Sequence, residues 1–285
     1  MSVDILQERI RKSKNPCVLL LEPSAELVPP QYLEDEENIA GGFAGYCVEL
    51  LESFREIVPA VAISYGAFAC FGVAGLEALE RVRSSAKELG YYVICDAGVG
   101  YTGSVAQSWG QKIFVDEDYD ALTINPYAGT DTVKAYLEHC QQGKMLVVQV
   151  RTANKTGAEL QDLMTGGRLV HTAVADLAYR WGQTLFGRCG YRQVCGWMGA
   201  NSGDSIRNIR ARYKELFVFV SGVDTANGNF KNASMAFDRL GHGGAVVVGP
   251  GVLGAWQDSA EEPVAAAVDA MERMKKNITR YVTIL

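Results

Sequence analysis

Apolar positions along the chain fall into short, near-continuous runs separated by longer amphipathic stretches. Runs at residues 17–21, 60–65, 91–95, 121–124, 145–150, 193–198, 216–220 and 245–248 are rich in β-branched and aromatic side chains. Their length and content predict buried strands. Because most do not alternate with polar residues, both faces are expected to be covered, as in parallel sheets. The stretches 38–57, 76–89, 132–142, 169–181, 205–213, 231–240 and 263–277 have the helical period. The opening MSVDILQERIRKSKN predicts an amphipathic helix, not a signal peptide. Eight strand–helix units in 285 residues predict an α/β fold, a single (β/α)8 TIM barrel over 1–285 with an N-terminal helix. A doubly wound open sheet is the alternative, but it usually needs fewer strands.

Composition narrows the partners. The chain carries 27 basic and 33 acidic residues, a net charge of -6, with no basic face in the sequence. That argues against nucleic acid and against a membrane surface. No apolar stretch reaches the length of a membrane span. The seven cysteines are odd in number, show no C-x-x-C spacing and sit mostly in apolar segments. They read as reduced core thiols of a cytoplasmic protein, and neither a metal nor a cofactor is expected.

In such a barrel the ligand site lies at the carboxyl ends of the strands. Those ends fall at 22–24, 66–68, 96–102, 125–130, 151–154, 199–202, 221–229 and 249–251, and are rich in Gly, Asn, Ser and Thr but poor in charge. General acid–base chemistry needs a titratable group beside the bond broken. Glu22, Asp96 and Asp224 are the acids available there, and Arg151 is the one cation among the strand ends. Arg151 reads either as an anion ligand or as a structural ion pair with Asp162. Gly222 with Gly228, and Gly249 with Gly251, read as backbone nests for an anion or as turns that require glycine. Pro126 forces Asn125 extended, and Tyr127 is expected to pack at the rim.

The segments NPYAGTD (125–131) and RTANKTGAELQDL (151–163) resemble orotidine 5'-phosphate decarboxylases of the longer bacterial type. CVLLLEP (17–23), VPAVAISYGAFACFGVAGLEAL (58–79), YYVICDAGVGYTGS (91–104), GWMGANS (196–202) and FVFVSGVDTANGN (217–229) follow in that family's order. The resemblance covers most of the chain. It implies the same barrel, commonly a homodimer with its site near the subunit interface.

The resemblance also marks departures. The family's Asp-x-Lys-x-x-Asp after the third strand aligns with Asp96, Gly98 and Tyr101, so only the first acid is present. The Lys expected at the end of the second strand falls on or near Ala62, and Glu22 stands for the Asp after the first. Thr152-Ala153-Asn154 replaces a Thr-Ser-Asn whose Ser reads the pyrimidine. Ala226 and Asn227 stand where a Gln faces the nucleotide. Gly249-Pro250-Gly251-Val252 stands where a phosphate-gripping Arg is expected. Tyr101 reads as filling a vacated cavity or as a catalytic phenol.

The first expectation is thus a family barrel that does not decarboxylate orotidylate and binds a nucleotide or sugar phosphate. Its site would draw on Asp96 with Glu22, Tyr101, Asn125, Arg151, Thr152, Asn154, Gly222, Asp224, Asn227, Gly249 and Gly251. The alternatives are a barrel enzyme with different chemistry, or orotidylate decarboxylation itself through a shifted Lys.

Overall fold

A computed structural model of the chain describes residues 1–225 and 229–285. Eight parallel strands close on themselves in the spatial order β1-β10-β9-β8-β5-β4-β3-β2. They are β1 Cys17–Leu21, β2 Ala60–Ser64, β3 Tyr92–Val99, β4 Ala121–Ile124, β5 Met145–Arg151, β8 Val194–Gly199, β9 Val218–Ser221 and β10 Gly244–Val248. The short antiparallel hairpin of β6 Met164–Thr165 and β7 Arg168–Leu169 lies outside the barrel. The ring closes where Cys17 of β1 pairs with Val246 of β10. The expected barrel is therefore present, and an open sheet is excluded. No helix among the described residues is long and apolar enough to cross a membrane.

The outer layer follows the predicted amphipathic stretches. Before β4 it consists of α1 Ser2–Ser13, α2 Ile39–Phe54, α3 Tyr65–Ala69, α4 Gly72–Glu88 and α5 Gly103–Gln111. After β4 come α6 Thr130–Lys134, α7 Leu137–Gln141, α8 Ala158–Gln161, α9 Val170–Trp181, α10 Gly203–Arg212, α11 Phe230–Ser234, α12 Pro250–Leu253 and α13 Pro263–Thr279. Two differ from the sequence pattern. The helix expected over 132–142 is broken into α6 and α7, with the wholly buried Tyr136 at the break. The helix expected over 231–240 stops at Ser234. Beyond it the Asp238 carboxylate accepts the backbone N–H groups of Leu240 (2.8 Å) and His242 (2.9 Å), turning the chain toward β10. Short polar side chains that bond nearby backbone compete with helix in this way.

Helix α1 closes the amino end of the barrel. Val3, Leu6 and Ile10 are fully buried. Three of its anchoring bonds go to residues at or just before a strand start. Ser2 Oγ lies 2.6 Å from the Tyr92 hydroxyl, Val3 N donates to Gln193 Oε1 (2.9 Å), and Gly243 N donates to Gln7 Oε1 (3.0 Å). Gln193, itself fully buried, also donates to the Lys144 carbonyl (3.1 Å). Gln193→Leu leaves a buried N–H and a buried C=O without partners, a loss of roughly 1–3 kcal/mol. Urea titration should show the lower midpoint, and an unchanged midpoint would mean that α1 is held by its apolar face alone.

Candidate active site at the carboxyl end of the barrel

With the amino end closed by α1, the carboxyl end is left to face a ligand. Asp96 sits near the end of β3, where the pairing with β4 shifts register between Cys95 and Val99. The buried Thr123 of β4 organises that irregularity. Its hydroxyl accepts the N–H groups of Ala97 (3.0 Å) and Gly98 (2.9 Å) and donates to Asp96 Oδ1 (2.7 Å). Burial raises the Asp96 pKa above the usual carboxylate value, and the Thr123 bond only partly offsets this. Glu22, exposed just beyond β1, accepts from Ser64 Oγ at 3.3 Å. Its pKa is also raised, first by partial desolvation at the mouth and then by the Asp96 charge, against the Ser64 bond. The charge of Asp96 thus reaches Glu22 across the ends of β1 and β3.

Gly98 has φ +55, and a Cβ built on it would stand 3.1 Å from Gln149 Nε2. The Gln149 carboxamide of β5 therefore lies against the backbone of the β3 end. With Asn125, Thr152 and Gln161 it also lines a cavity of about 200 Å³. Asn125 Oδ1 accepts the Tyr127 N–H (3.0 Å), while Thr152 N and Oγ1 are bonded to the Gln161 side chain. Asn154 only bridges to Thr156 within its own loop. Neither Tyr127 nor Tyr101 packs as the sequence suggested. Tyr127 is 84% exposed, and Tyr101, 47% exposed, stacks on Trp109 instead of filling the mouth.

Arg151 resolves to its structural reading. Its guanidinium grips Asp162 through Nε (3.0 Å) and Nη2 (2.9 Å), and Nη1 donates to Asn201 Oδ1 (2.7 Å). The Arg151 fork in turn lowers the Asp162 pKa, and the buried His171 adds a contact to the same carboxylate. Lys155 is exposed on the rim and lines a cavity of about 420 Å³ with Arg151 and Asn201.

The expected anion nest is already occupied from within. Asp224 Oδ2 accepts the N–H of Gly249 at 2.7 Å and of Gly251 at 3.1 Å. Of the two readings of Gly249 and Gly251, an anion nest or a turn, the nest is met by the chain's own Asp224 carboxylate. Gly222 has φ +75, and a Cβ there would meet Ala153 at 2.7 Å, so close approach to the neighbouring loop requires glycine. Asn227 lies outside the described residues. Sequence reasoning missed Thr123, Ser64 and Gln149. The available signal was a lone polar residue near the carboxyl end of an otherwise apolar strand.

The sequence model of the Orotidine 5'-phosphate decarboxylase / HUMPS family matches residues 48–267. Orotidine 5'-phosphate decarboxylase of Clostridium novyi is 27% identical over 258 residues, covering 90% of this chain and 89% of that protein. Its counterpart in Clostridium tetani is 25% identical over 287 residues and 99% of each chain. Among solved structures, Leishmania donovani OMP decarboxylase superposes with TM-score 0.77 at 24% identity, covering 98% of both chains. Plasmodium berghei orotidine 5'-monophosphate decarboxylase superposes with TM-score 0.79 at 15% identity over 99% of both. The chain belongs to the Orotidine 5'-phosphate decarboxylase / HUMPS family.

The raised Asp96 pKa has a consequence for stability. The folded chain holds that proton more tightly than the unfolded chain, so stability falls as pH climbs from the unfolded value, about 3.9, through the folded one. Asp96→Asn keeps an oxygen for Thr123 and removes the charge. The variant should therefore be more stable than the parent at about pH 7, with the difference shrinking toward about pH 4. Urea midpoints across that range provide the check, and a variant weaker at neutral pH would contradict it.

Proposed function

We propose that this family member does not decarboxylate orotidylate, and that its mouth takes an unphosphorylated, hydroxyl-rich ligand of the nucleoside or sugar kind. The charge of the mouth carries the reading. Glu22, Asp96 and Asp224 converge on the carboxyl end of the barrel, while Arg151 is engaged by Asp162. Carbanion protonation needs a group that holds a proton at neutral pH beside the reacting carbon, and such a group contributes about 10²–10⁴ in rate. Gly98 and Tyr101 stand where the family pattern has its ammonium and second carboxylate, and neither replaces them.

The same charge distribution narrows the ligand from the phosphorylated class expected from sequence. A phosphate approaching Gly249 and Gly251 would have to displace the Asp224 carboxylate and then lie beside it. Like charges in so enclosed a place disfavour each other strongly. Hydroxyl groups, by contrast, donate readily to Asp96 and Glu22 and can accept from the Gln149 carboxamide.

The second reading is orotidylate decarboxylation itself. It is favoured by the name of the Clostridium relatives, which match over nine-tenths of the chain, and by Lys155 at the rim. Two measurements separate the readings. Following orotidine 5'-phosphate by absorbance should give no turnover above the uncatalysed background. Turnover abolished by Asp96→Ala or by Lys155→Ala would establish the second reading. In thermal-shift titrations uridine should stabilise the protein more than uridine 5'-phosphate, and Asp224→Asn should narrow that difference. Preference for the phosphorylated form in the parent protein would remove the first.

A further inference from the structure

The hydroxyl of Thr123 is saturated. A threonine hydroxyl offers one donor and two acceptor positions. Here the acceptor positions are filled by the N–H groups of Ala97 (3.0 Å) and Gly98 (2.9 Å), and the hydrogen goes to Asp96 Oδ1 (2.7 Å). The side chain is fully buried, and all three of these bonds run to β3. Backbone N–H groups can only donate, so the roles cannot be exchanged and the hydroxyl must aim its hydrogen at Oδ1. Asp96 Oδ1 is therefore an acceptor in either charge state, and it cannot carry the acidic proton itself.

The other oxygen has the opposite character. Asp96 Oδ2 accepts no hydrogen bond among the described residues, and it is not one of the buried side-chain polar atoms that lack a partner. It is thus open to an incoming group. Ser64 lies opposite Asp96 on β2, and the Gln149 carboxamide lies against the Gly98 backbone from β5, so both flanks are neutral. The titratable neighbours are Glu22 beyond β1, which feels the Asp96 charge, and Cys95 beside it on β3, whose thiol is pushed up by burial and then by that same charge. Neither supplies a positive charge.

We propose that Thr123 is the positioning residue of the mouth. It confines the Asp96 proton to Oδ2, so that one open oxygen meets a ligand, as donor when the acid is protonated and as acceptor when it is ionised. Hydroxyl-bearing ligands bind the ionised state more tightly, because a charged acceptor makes the stronger bond. Affinity therefore rises as pH climbs through the Asp96 midpoint, and Thr123 sets where that midpoint lies. The affinity step rests on the reading of the mouth as a hydroxyl-binding site, whereas the placement of the proton does not.

Carboxyl carbon-13 NMR of the ligand-free chain, labelled at aspartate, tests the assignment, with Asp96→Asn identifying the resonance and separating it from Glu22. Thr123→Ser keeps all three bonds and should titrate like the parent. Thr123→Cys, a weaker donor, should titrate at higher pH, and Thr123→Val higher still. Either of these two suffices where the other does not fold. A midpoint unmoved by both, or lowered, would overturn the proposal, since a role confined to packing would cost stability without this ordered shift. In isothermal titrations uridine should bind the parent about tenfold tighter well above the Asp96 midpoint than well below it. Thr123→Val should move that profile to higher pH, and uridine affinity indifferent to pH would overturn the switch. Absence of uridine binding at any pH, with the ordered NMR shifts intact, would remove the reading of the mouth and leave Thr123 in its role.

Discussion

Closing eight parallel strands into a ring delivers their carboxyl ends to one rim, where side chains far apart in sequence share a single, poorly solvated volume. Whatever charge those ends carry must be answered there. In this chain the rim receives three acids, and each is met by neutral donors. Ser64 serves Glu22, Thr123 serves Asp96, and the backbone N–H groups of Gly249 and Gly251 serve Asp224. The guanidinium of Arg151 is close by but committed to Asp162. Neutral donors stabilise a carboxylate less than an ammonium or guanidinium does. Desolvation, joined at Glu22 by the Asp96 charge, outweighs these bonds, so Asp96 and Glu22 hold their protons more tightly than free carboxyls.

Asp224 shows the same constraint from the side of the backbone. The loops after the last two barrel strands are where barrels of this architecture commonly hold phosphate, through N–H groups that side chains leave free. Here the donors exist, and the chain supplies its own anion to them. A tethered carboxylate is always present at high effective concentration, so a diffusing anion competes at a disadvantage. The consequence reaches beyond this loop. With these backbone donors satisfied internally, side chains such as the Gln149 carboxamide are what this end of the barrel presents.

Much of this was legible in the sequence, for a physical reason. Strands buried on both faces must be apolar along their whole length, so all eight stand out, and their ends locate Glu22, Asp96, Arg151 and Asp224. The pairing of Arg151 with Asp162 was legible as an alternative because the two lie in one short excursion. What escaped were features set by tertiary geometry. Nothing in the pattern 231–240 announces that Asp238 will bond the backbone and end the helix. Aromatic rings at 101 and 127 look like packing residues, yet both stand in loops that present them to solvent. Thr123 and Gln149 resemble tolerated polar interruptions of apolar strands until the fold turns them toward the β3 end.

The end of β3 shows how closely backbone and side chains are fitted at this rim. Between Cys95 and Val99 the β3–β4 register shifts, and Gly98 adopts φ +55 within the irregularity. An L-residue held there costs roughly 1–2 kcal/mol. Thr123 anchors the bend by accepting two successive backbone N–H groups, and Gln149 Nε2 lies 3.1 Å from where a Cβ at 98 would stand. A side chain at 98 would press on the Gln149 carboxamide, which would have to give by a few tenths of an ångström. Thr123 therefore ties the bend at Gly98 to Asp96, and it is the hydroxyl of Thr123 that orients this carboxylate.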